Sequence, residues 1–412
     1  MLILLKNRVF QIIVLTDLIQ QSAIWIRNIA LLFFVMELTN NNPIYVSLLT
    51  VIEYAPIFLF SFIGGALADR WNPKKTMVYG DFASALSILI IIFFVTNGNW
   101  QVIFLATLVS SIVSQVSQPS SSIMFKRHIP DEMIAPAIGI IQSLQALFLI
   151  IGPIIGTLIY SWLGLIASLI CITIAFLVST FTLLFLPNSK KEEKDYLPSN
   201  FVKEMKEGIQ YVKNSKNLSL IAIAFVFIGL GAGIVQPLDV FIVIHRLGLE
   251  KESIQWFYMV AGIGMLFGSV IASILGNKLN MKTVIVGGLC FLSISLIVEV
   301  LSVWTILTAT MRFLTGFILA MWQTILGMVI IKMVDEKFVG RTNGILTPLF
   351  IGGILLGSTV AGPLVTFTSL ITAFVISAII IFVGAIISTK LELKETQKTF
   401  KNNTQFGIED NG

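Results

Sequence analysis

Apolar residues run along this chain in stretches of membrane length, with the polar residues collected in short gaps between them. Twelve runs can be marked, at about 9–36, 44–68, 77–96, 101–124, 138–162, 165–186, 218–243, 254–276, 283–302, 304–331, 344–365 and 367–389. Each is near the roughly 20 residues that a helix needs to cross a bilayer's hydrocarbon core. The gaps near Leu163 and Val303 are very short. In lipid, every backbone N–H and C=O must find a partner inside the protein, so such runs predict helices. The pattern therefore predicts an all-α membrane protein of twelve transmembrane helices, with almost nothing left over for a soluble domain. Composition agrees, since only 12% of residues are charged against roughly 25% in a soluble chain.

The gaps give the organisation. A polar segment, 187–217, divides the runs six and six. Residues 1–186 are expected to form an N-terminal six-helix bundle and 218–389 a C-terminal one. The segment between them reads as a cytoplasmic linker with one surface helix over Phe201 to Tyr211, and 390–412 as a disordered tail. The halves echo each other. Lys75-Thr76 in the second-to-third gap matches Lys282-Thr283 in the eighth-to-ninth, and the loop Phe125 to Gly139 resembles Ile331 to Gly344. Internal six-span repeats place a binding site at the interface of the halves.

Charge sets the expected orientation. Of 27 lysines and arginines, all but Arg27, Arg246, Lys251 and Arg312 fall in segments on the same side as the two termini. That asymmetry predicts cytoplasmic termini, so the net charge of +5 reflects topology and implies no nucleic-acid partner. The first run is too long for a signal-peptide core and a second follows at once. Cys171 and Cys290 lie within spans, and no Cys/His cluster has metal-ligand spacing. No metal or cofactor is expected. Nothing resembles a phosphate-binding loop ending in Lys-Ser/Thr, which argues against direct ATP use.

The tight charged gap after span two reads Gly64-Gly65-Ala66-Leu67-Ala68-Asp69-Arg70-Trp71-Asn72-Pro73-Lys74-Lys75. At Gly65, Leu67, Ala68, Asp69, Arg70, Lys74 and Lys75 it resembles the signature hinge of the major facilitator superfamily. Asn72 stands where the pattern has a second glycine, and asparagine tolerates left-handed backbone. Glu37-Leu38-Thr39-Asn40-Asn41, the linker's Phe201 to Gly208, and Gly340-Arg341-Thr342-Asn343-Gly344 resemble the macrolide-efflux branch of drug:proton antiporters. The resemblance implies two pseudo-symmetric six-helix bundles, the major facilitator fold, in a monomer that works by alternating access in the plasma membrane. It also implies export of a small amphiphilic substrate in exchange for protons. Gly152-Pro153-Ile154-Ile155-Gly156 in span five is similar to the superfamily's exporter motif, with Gly362-Pro363 in span eleven as its partner.

Polar residues inside spans are costly and mark function. In span one, Asp17, Gln20, Gln21, residue 24 and Asn28 follow helical spacing, with Arg27 at the edge. Span four repeats the pattern with Thr107, Ser110, Ser111, Ser114, Gln115 and Gln118. Span seven offers Gln236 and Asp239, and span ten Thr308, Arg312, Thr315 and Gln323. In the resembled superfamily spans one, four, seven and ten line the central cavity; helix–helix hydrogen bonding is the other reading of these side chains. Arg27 and Glu53 fall at similar depth in adjacent antiparallel spans, either as a fixed ion pair or as a switch opened when Glu53 takes a proton. Asp17 is the rival proton carrier. Span four lacks the arginine that such antiporters often carry there, and Arg312 is the nearest counterpart. In the hinge, Asp69 is expected to gate by facing the N-terminus of span eleven beside Arg341, with Arg70, Lys74 and Lys75 also accounted for by charge asymmetry. Two alternatives stand beside drug export. One is a siderophore or lysolipid exporter, or an importer, of the same fold; the other is a membrane sensor or scaffold that transports nothing.

Overall fold

The computed structural model describes residues 4, 6–61, 71–187, 201–276, 278–335 and 338–392. Those residues form helices and turns only. Helices α1 (Arg8–Leu38), α2 (Pro43–Ser61), α3 (Pro73–Thr96) and α4 (Phe104–His128) match the first four runs. Runs five and six are joined in one long helix, α5 (Asp131–Leu184), broken at Gly164 (φ 73°, ψ −175°). The expected break near Leu163 is thus a single-residue kink, and glycine supplies the positive φ that a side chain would resist. Amphipathic α6 covers Phe201–Asn214. Then follow α7 (Lys216–Val235), α8 (Ile254–Leu275), α9 (Met281–Leu301), α10 (Thr305–Met333), α11 (Val339–Phe367) and α12 (Leu370–Ser388). Past Val235, α7 tightens into a 3₁₀ turn over Gln236–Leu238 and then widens into a π turn over Ile242–Arg246.

Side-chain caps start several of these helices. Asn7 accepts from the Val9 and Phe10 amides, Asn72 from Lys75, Asn280 from Thr283 and Ser369 from Thr372, satisfying N–H groups that a helix leaves open at its start. Asn72 is extended (φ −71°), so it serves as a cap and does not use the left-handed tolerance expected of it. Left-handed asparagines occur instead at Asn40 and Asn41, between α1 and α2. The caps also shift the repeat. Asn72 corresponds to Asn280, and close-packed Gly80 to Gly288, one residue off the Lys75-Thr76 match read from the sequence.

Packing repeats with the sequence. Within the N-terminal half α1 packs on α5, α2 on α4, and α3 on α4 and α5. In the C-terminal half α7 packs on α11 and α12, α8 on α10, and α9 on α10 and α12. The halves meet through two related pairs, α2 with α11 and α5 with α8. Small residues permit these approaches. A Cβ on Gly152 would sit 2.4 Å from the Trp25 ring, and one on Gly156 would sit 2.8 Å from the Trp25 carbonyl. The helix stays regular through Pro153. Gly362 has a different role: its missing Cβ lets α11 lie against Pro43 and Ile44 of α2, across the halves. The two Gly-Pro pairs are therefore not structural partners.

Among the described residues the buried apolar contact between the halves is concentrated on one side, although Gly352 of α11 also packs on Phe58 further along α2. The large apolar cluster of the C-terminal half takes in Ile29, Ala30, Phe33, Met36, Val46 and Tyr160 from the N-terminal half. All six lie toward the membrane face opposite the termini. On the face that carries the termini, Leu4, Phe10, Met77, Met124, Phe125 and Leu183 form a cluster of N-terminal-half residues alone. The seal is completed by Glu37, which accepts hydrogen bonds from Tyr160 and from Lys251 of the other half. The Lys251 ammonium also sits over the Phe33 ring. Glu37 is half exposed, and exposed pairs contribute at most about 1 kcal/mol. Glu37→Gln should therefore lower the unfolding midpoint only slightly while raising labelling of a cysteine placed at Asn41. A large stability loss would show the pair to be a structural bond of the fold.

Candidate functional site

Two cavities and one ion cluster hold or adjoin Asp17, Arg27, Glu53, Asp81, Asp239, Glu299 and Arg312, charged residues of the described spans. The first cavity, about 600 Å³, lies between the halves and is lined by Asn28, Val46, Leu49, Thr50, Glu53, Thr107, Gln236, Pro237, Val240 and Tyr258, among others. Glu53 faces it. Arg27, 3% exposed, lies behind it, with its Nη2 4.0 Å from Glu53 Oε1. That is an ion-pair distance but too long for a hydrogen bond. Arg27 donates instead to Asn28 Oδ1 from Nε (3.1 Å) and Nη2 (2.8 Å), and its Nη1 has no hydrogen-bond partner. The guanidinium is thus held by an amide and only loosely by the carboxylate. Across the interface, Gln236 donates to the Tyr54 hydroxyl at 3.2 Å.

The second cavity, about 770 Å³, lies within the N-terminal half between α1, α3, α4 and α5, nearer the termini. Asp17, Gln20 and Gln21 line it, with Ser110, Ser114, Ser117 and Ser121 of α4 and Asp81 and Ser84 of α3. Asp81 is 2% exposed; its Oδ2 accepts from Gln20 Nε2 (2.7 Å) and from the Ser179 hydroxyl. The stripe expected along span one is therefore shared out, with Asp17, Gln20 and Gln21 in this cavity and Asn28 in the central one. Span four presents part of the expected face, with Thr107 in the central cavity and Ser110 and Ser114 in this one. Ser117 and Ser121 line the cavity, while Ser111 is buried and Gln115 is half-buried and lines neither cavity. The Gln118 side chain lies outside the described residues.

The C-terminal half carries the ion cluster. Arg312 binds Asp239 Oδ1 through Nη2 and Glu299 Oε2 through Nε, both at 2.8 Å. Glu299 is 1% exposed, and its Oε1 also accepts from Ser295 (3.2 Å) and Thr315 (3.3 Å). A small void beside Arg312 is lined by Tyr258, Thr308 and Phe257. Asp239 and Arg312 thus form a largely buried salt bridge, each side chain 13% exposed. Gln323 is exposed and lines neither cavity.

Of the expected gate, Gly65, Asp69 and Arg70 lie outside the described residues. Lys74 donates to the Leu186 carbonyl at 2.6 Å, and the Lys75 amide takes the Asn72 cap. Arg341 pairs with Glu207 (2.8 Å) and Glu204 (3.8 Å) of α6, so its described carboxylate partners belong to the linker helix. Tyr211 of α6 stacks on Phe338 (4.2 Å between centroids) and accepts from the Asp335 amide. Asp81 and Glu299 were not singled out by the sequence patterns, yet each had a signal: a carboxylate within an apolar run is costly unless used.

The sequence profile of a family described as transmembrane secretion effector matches residues 2–407. The chain belongs to this family, within the major facilitator superfamily. Among characterised folds, a mutant of the nucleoside transporter NupG superposes with a TM-score of 0.75 at 13% identity, covering 93% of this chain and all of the other. The D-xylose-proton symporter gives 0.69 at 13% identity, covering 94% and 99%. At that identity the likeness concerns the fold. Relatives by sequence include the uncharacterised MFS-type transporter YkuC of Bacillus subtilis, 24% identical over 85% of each chain. Macrolide efflux protein A of Streptococcus pyogenes is 24% identical over 66% of this chain and 68% of the other. The family and its structural neighbours are transporters, not enzymes. Members of this transporter family are multi-pass membrane proteins that act on small molecules, and the eleven long apolar helices among the described residues, one of them broken, fit that.

Proposed function

We propose that the chain exports amphiphilic compounds across the plasma membrane in exchange for protons, as a monomer with both termini in the cytoplasm. The observation that carries this reading is Glu53. It is a carboxylate opening on a cavity of mixed polar and apolar lining at the interface of the halves, within ion-pair reach of a buried arginine that is not hydrogen-bonded to it. A proton taken by Glu53 removes the attraction that holds Arg27 beside α2. Arg27 then depends on Asn28 alone, and the contact between α1 and α2 loosens. An amphiphilic substrate fits the mixed lining, and macrolide efflux protein A is a relative that carries export in its name. On this reading the described contacts, sealed opposite the termini, are those of the state open to the cytoplasm.

The test is efflux from intact cells and inverted vesicles over a panel of macrolides, cationic dyes and catecholate siderophores, with and without an uncoupler. Uncoupler-sensitive efflux of a macrolide or dye is expected. Glu53→Gln should reduce it at least tenfold while leaving the folded protein monodisperse. Unchanged efflux in that variant would make the Arg27–Glu53 contact a structural pair. Efflux confined to siderophores would move the substrate to that class, and no transport by a well-folded sample would favour a sensor or scaffold.

A further inference from the structure

The cavity between α1, α3, α4 and α5 holds two carboxylates, Asp17 and Asp81, and no lysine, arginine or histidine is among the described residues that line it. Serine, glutamine and Thr16 side chains supply the rest of its polar lining. Helix–helix glue accounts for such groups only when they bond one another. Here Ser84, 2% exposed, has a hydroxyl with no hydrogen-bond partner, and the same holds for the Ser117 hydroxyl and for Asp17 Oδ2. A buried acceptor left open costs free energy, and one left open at a cavity wall is available to a ligand. Asp81 and Ser84 stand three residues apart on one face of α3, as Asp17 and Gln20 do on α1. The acceptors therefore converge from two helices. The bonds from Gln20 and Ser179 both fall on Oδ2 of Asp81 and fix that carboxylate in place.

Resting on the reading of the chain as an exporter of amphiphiles, we propose that this cavity is a recognition site for the ammonium group of an organic cation. Asp17, Asp81 and the Ser84 hydroxyl would accept its N–H donors, which an ammonium has and no oxygen acceptor supplies. Its apolar members, Ile13, Ile24 and Phe176, would meet the carbon skeleton attached to that nitrogen. Asp17 precedes Arg27 by ten residues, about 15 Å along α1. The ammonium site is thus on the terminus side of the central cavity, where an exported cation would enter from the cytoplasm.

Binding to the full-length protein in nanodiscs, measured by titration calorimetry, tests this without requiring transport. The ligands are phenylbutylammonium and its uncharged analogue phenylbutanol. The ammonium should bind at least tenfold more tightly. Asp17→Asn and Asp81→Asn should each remove most of that preference, and Ser84→Ala should weaken it severalfold. Asp17→Asn guards against misfolding of the Asp81 variant, since Asp17 Oδ2 makes no hydrogen bond. Equal binding of the two ligands would overturn the proposal. So would competitive displacement of the ammonium by millimolar sodium, which would assign the acceptors to an inorganic cation. If charge discrimination is present but uncoupler-sensitive efflux is not, the site stands and the export reading fails.

Discussion

Arg312→Gln should be the most damaging single substitution on the polar network, costing about 3–5 kcal/mol, the range for breaking a buried ion pair. The cost comes from what is left behind. Two carboxylates share this guanidinium, and both are within the bundle. Glutamine keeps some hydrogen-bonding capacity but no charge, so Asp239 and Glu299 would face each other with nothing between them. Ser295 and Thr315 still donate to Glu299, and these neutral hydroxyls offset only part of the lost attraction. The measurement is thermal unfolding of the purified protein in detergent, with monodispersity as a second readout. The neutral triple variant Arg312→Gln, Asp239→Asn, Glu299→Gln should recover most of the loss, because replacing an entire buried ion cluster is far cheaper than orphaning its members. If the triple variant is no better than the single one, packing around Arg312, and not charge, holds this region together.

The fold was legible because lipid allows few answers. Continuous apolar runs must become helices, and each of the described spans begins or ends near where hydropathy changes. The break near Val303 falls where α9 ends at Leu301 and α10 starts at Thr305. The break near Leu163 is subtler, since a single glycine kinks a helix whose hydrogen bonding runs on to Leu184. Hydropathy has no means of separating a kink from a loop. Site residues were legible one helix at a time. The spacing of Asp17, Gln20, Gln21 and Asn28 placed them on one stripe, but spacing carries no information on which neighbour each depth meets. Two cavities at two depths divide that stripe. Arg27 and Glu53 were matched by depth and the structure brings them within 4.0 Å. Arg312 was visible as a charge in a span, whereas its pairing with Glu299 depended on how α9 packs against α10, and pairing between helices leaves no local pattern. Asp81 and Glu299 are each the only charge in their runs, with only serines at helical spacing, such as Ser84 and Ser295, to accompany them.

Gly362→Ala should disrupt the seal between the halves and bias the protein toward the state open on the face opposite the termini. A Cβ at this position would lie 2.6 Å from the Ile44 Cα and 2.8 Å from the Pro43 carbonyl oxygen. Both are backbone atoms, so no side-chain rotation relieves the clash, and α11 must move away from the start of α2. Packed interfaces respond by switching arrangement more readily than by stretching, because close-packed interiors deform little. Movement there separates the same helix ends that Val46, Phe33 and Tyr160 join to the C-terminal half. The reference is Gly152→Ala, which would meet the Trp25 ring at 2.4 Å. That clash is within one half, so it should lower stability without changing which face is open. The measurement is labelling of single cysteines placed at Asn41 and at Lys126, one near each membrane face, in vesicles of known orientation. Gly362→Ala should raise labelling at Asn41 severalfold and lower it at Lys126, and Gly152→Ala should leave the ratio near that of the parent. Equal ratios in both variants would mean that the α2–α11 approach is structural packing with no part in the exchange between states, and that the seal opens elsewhere, along α5 and α8.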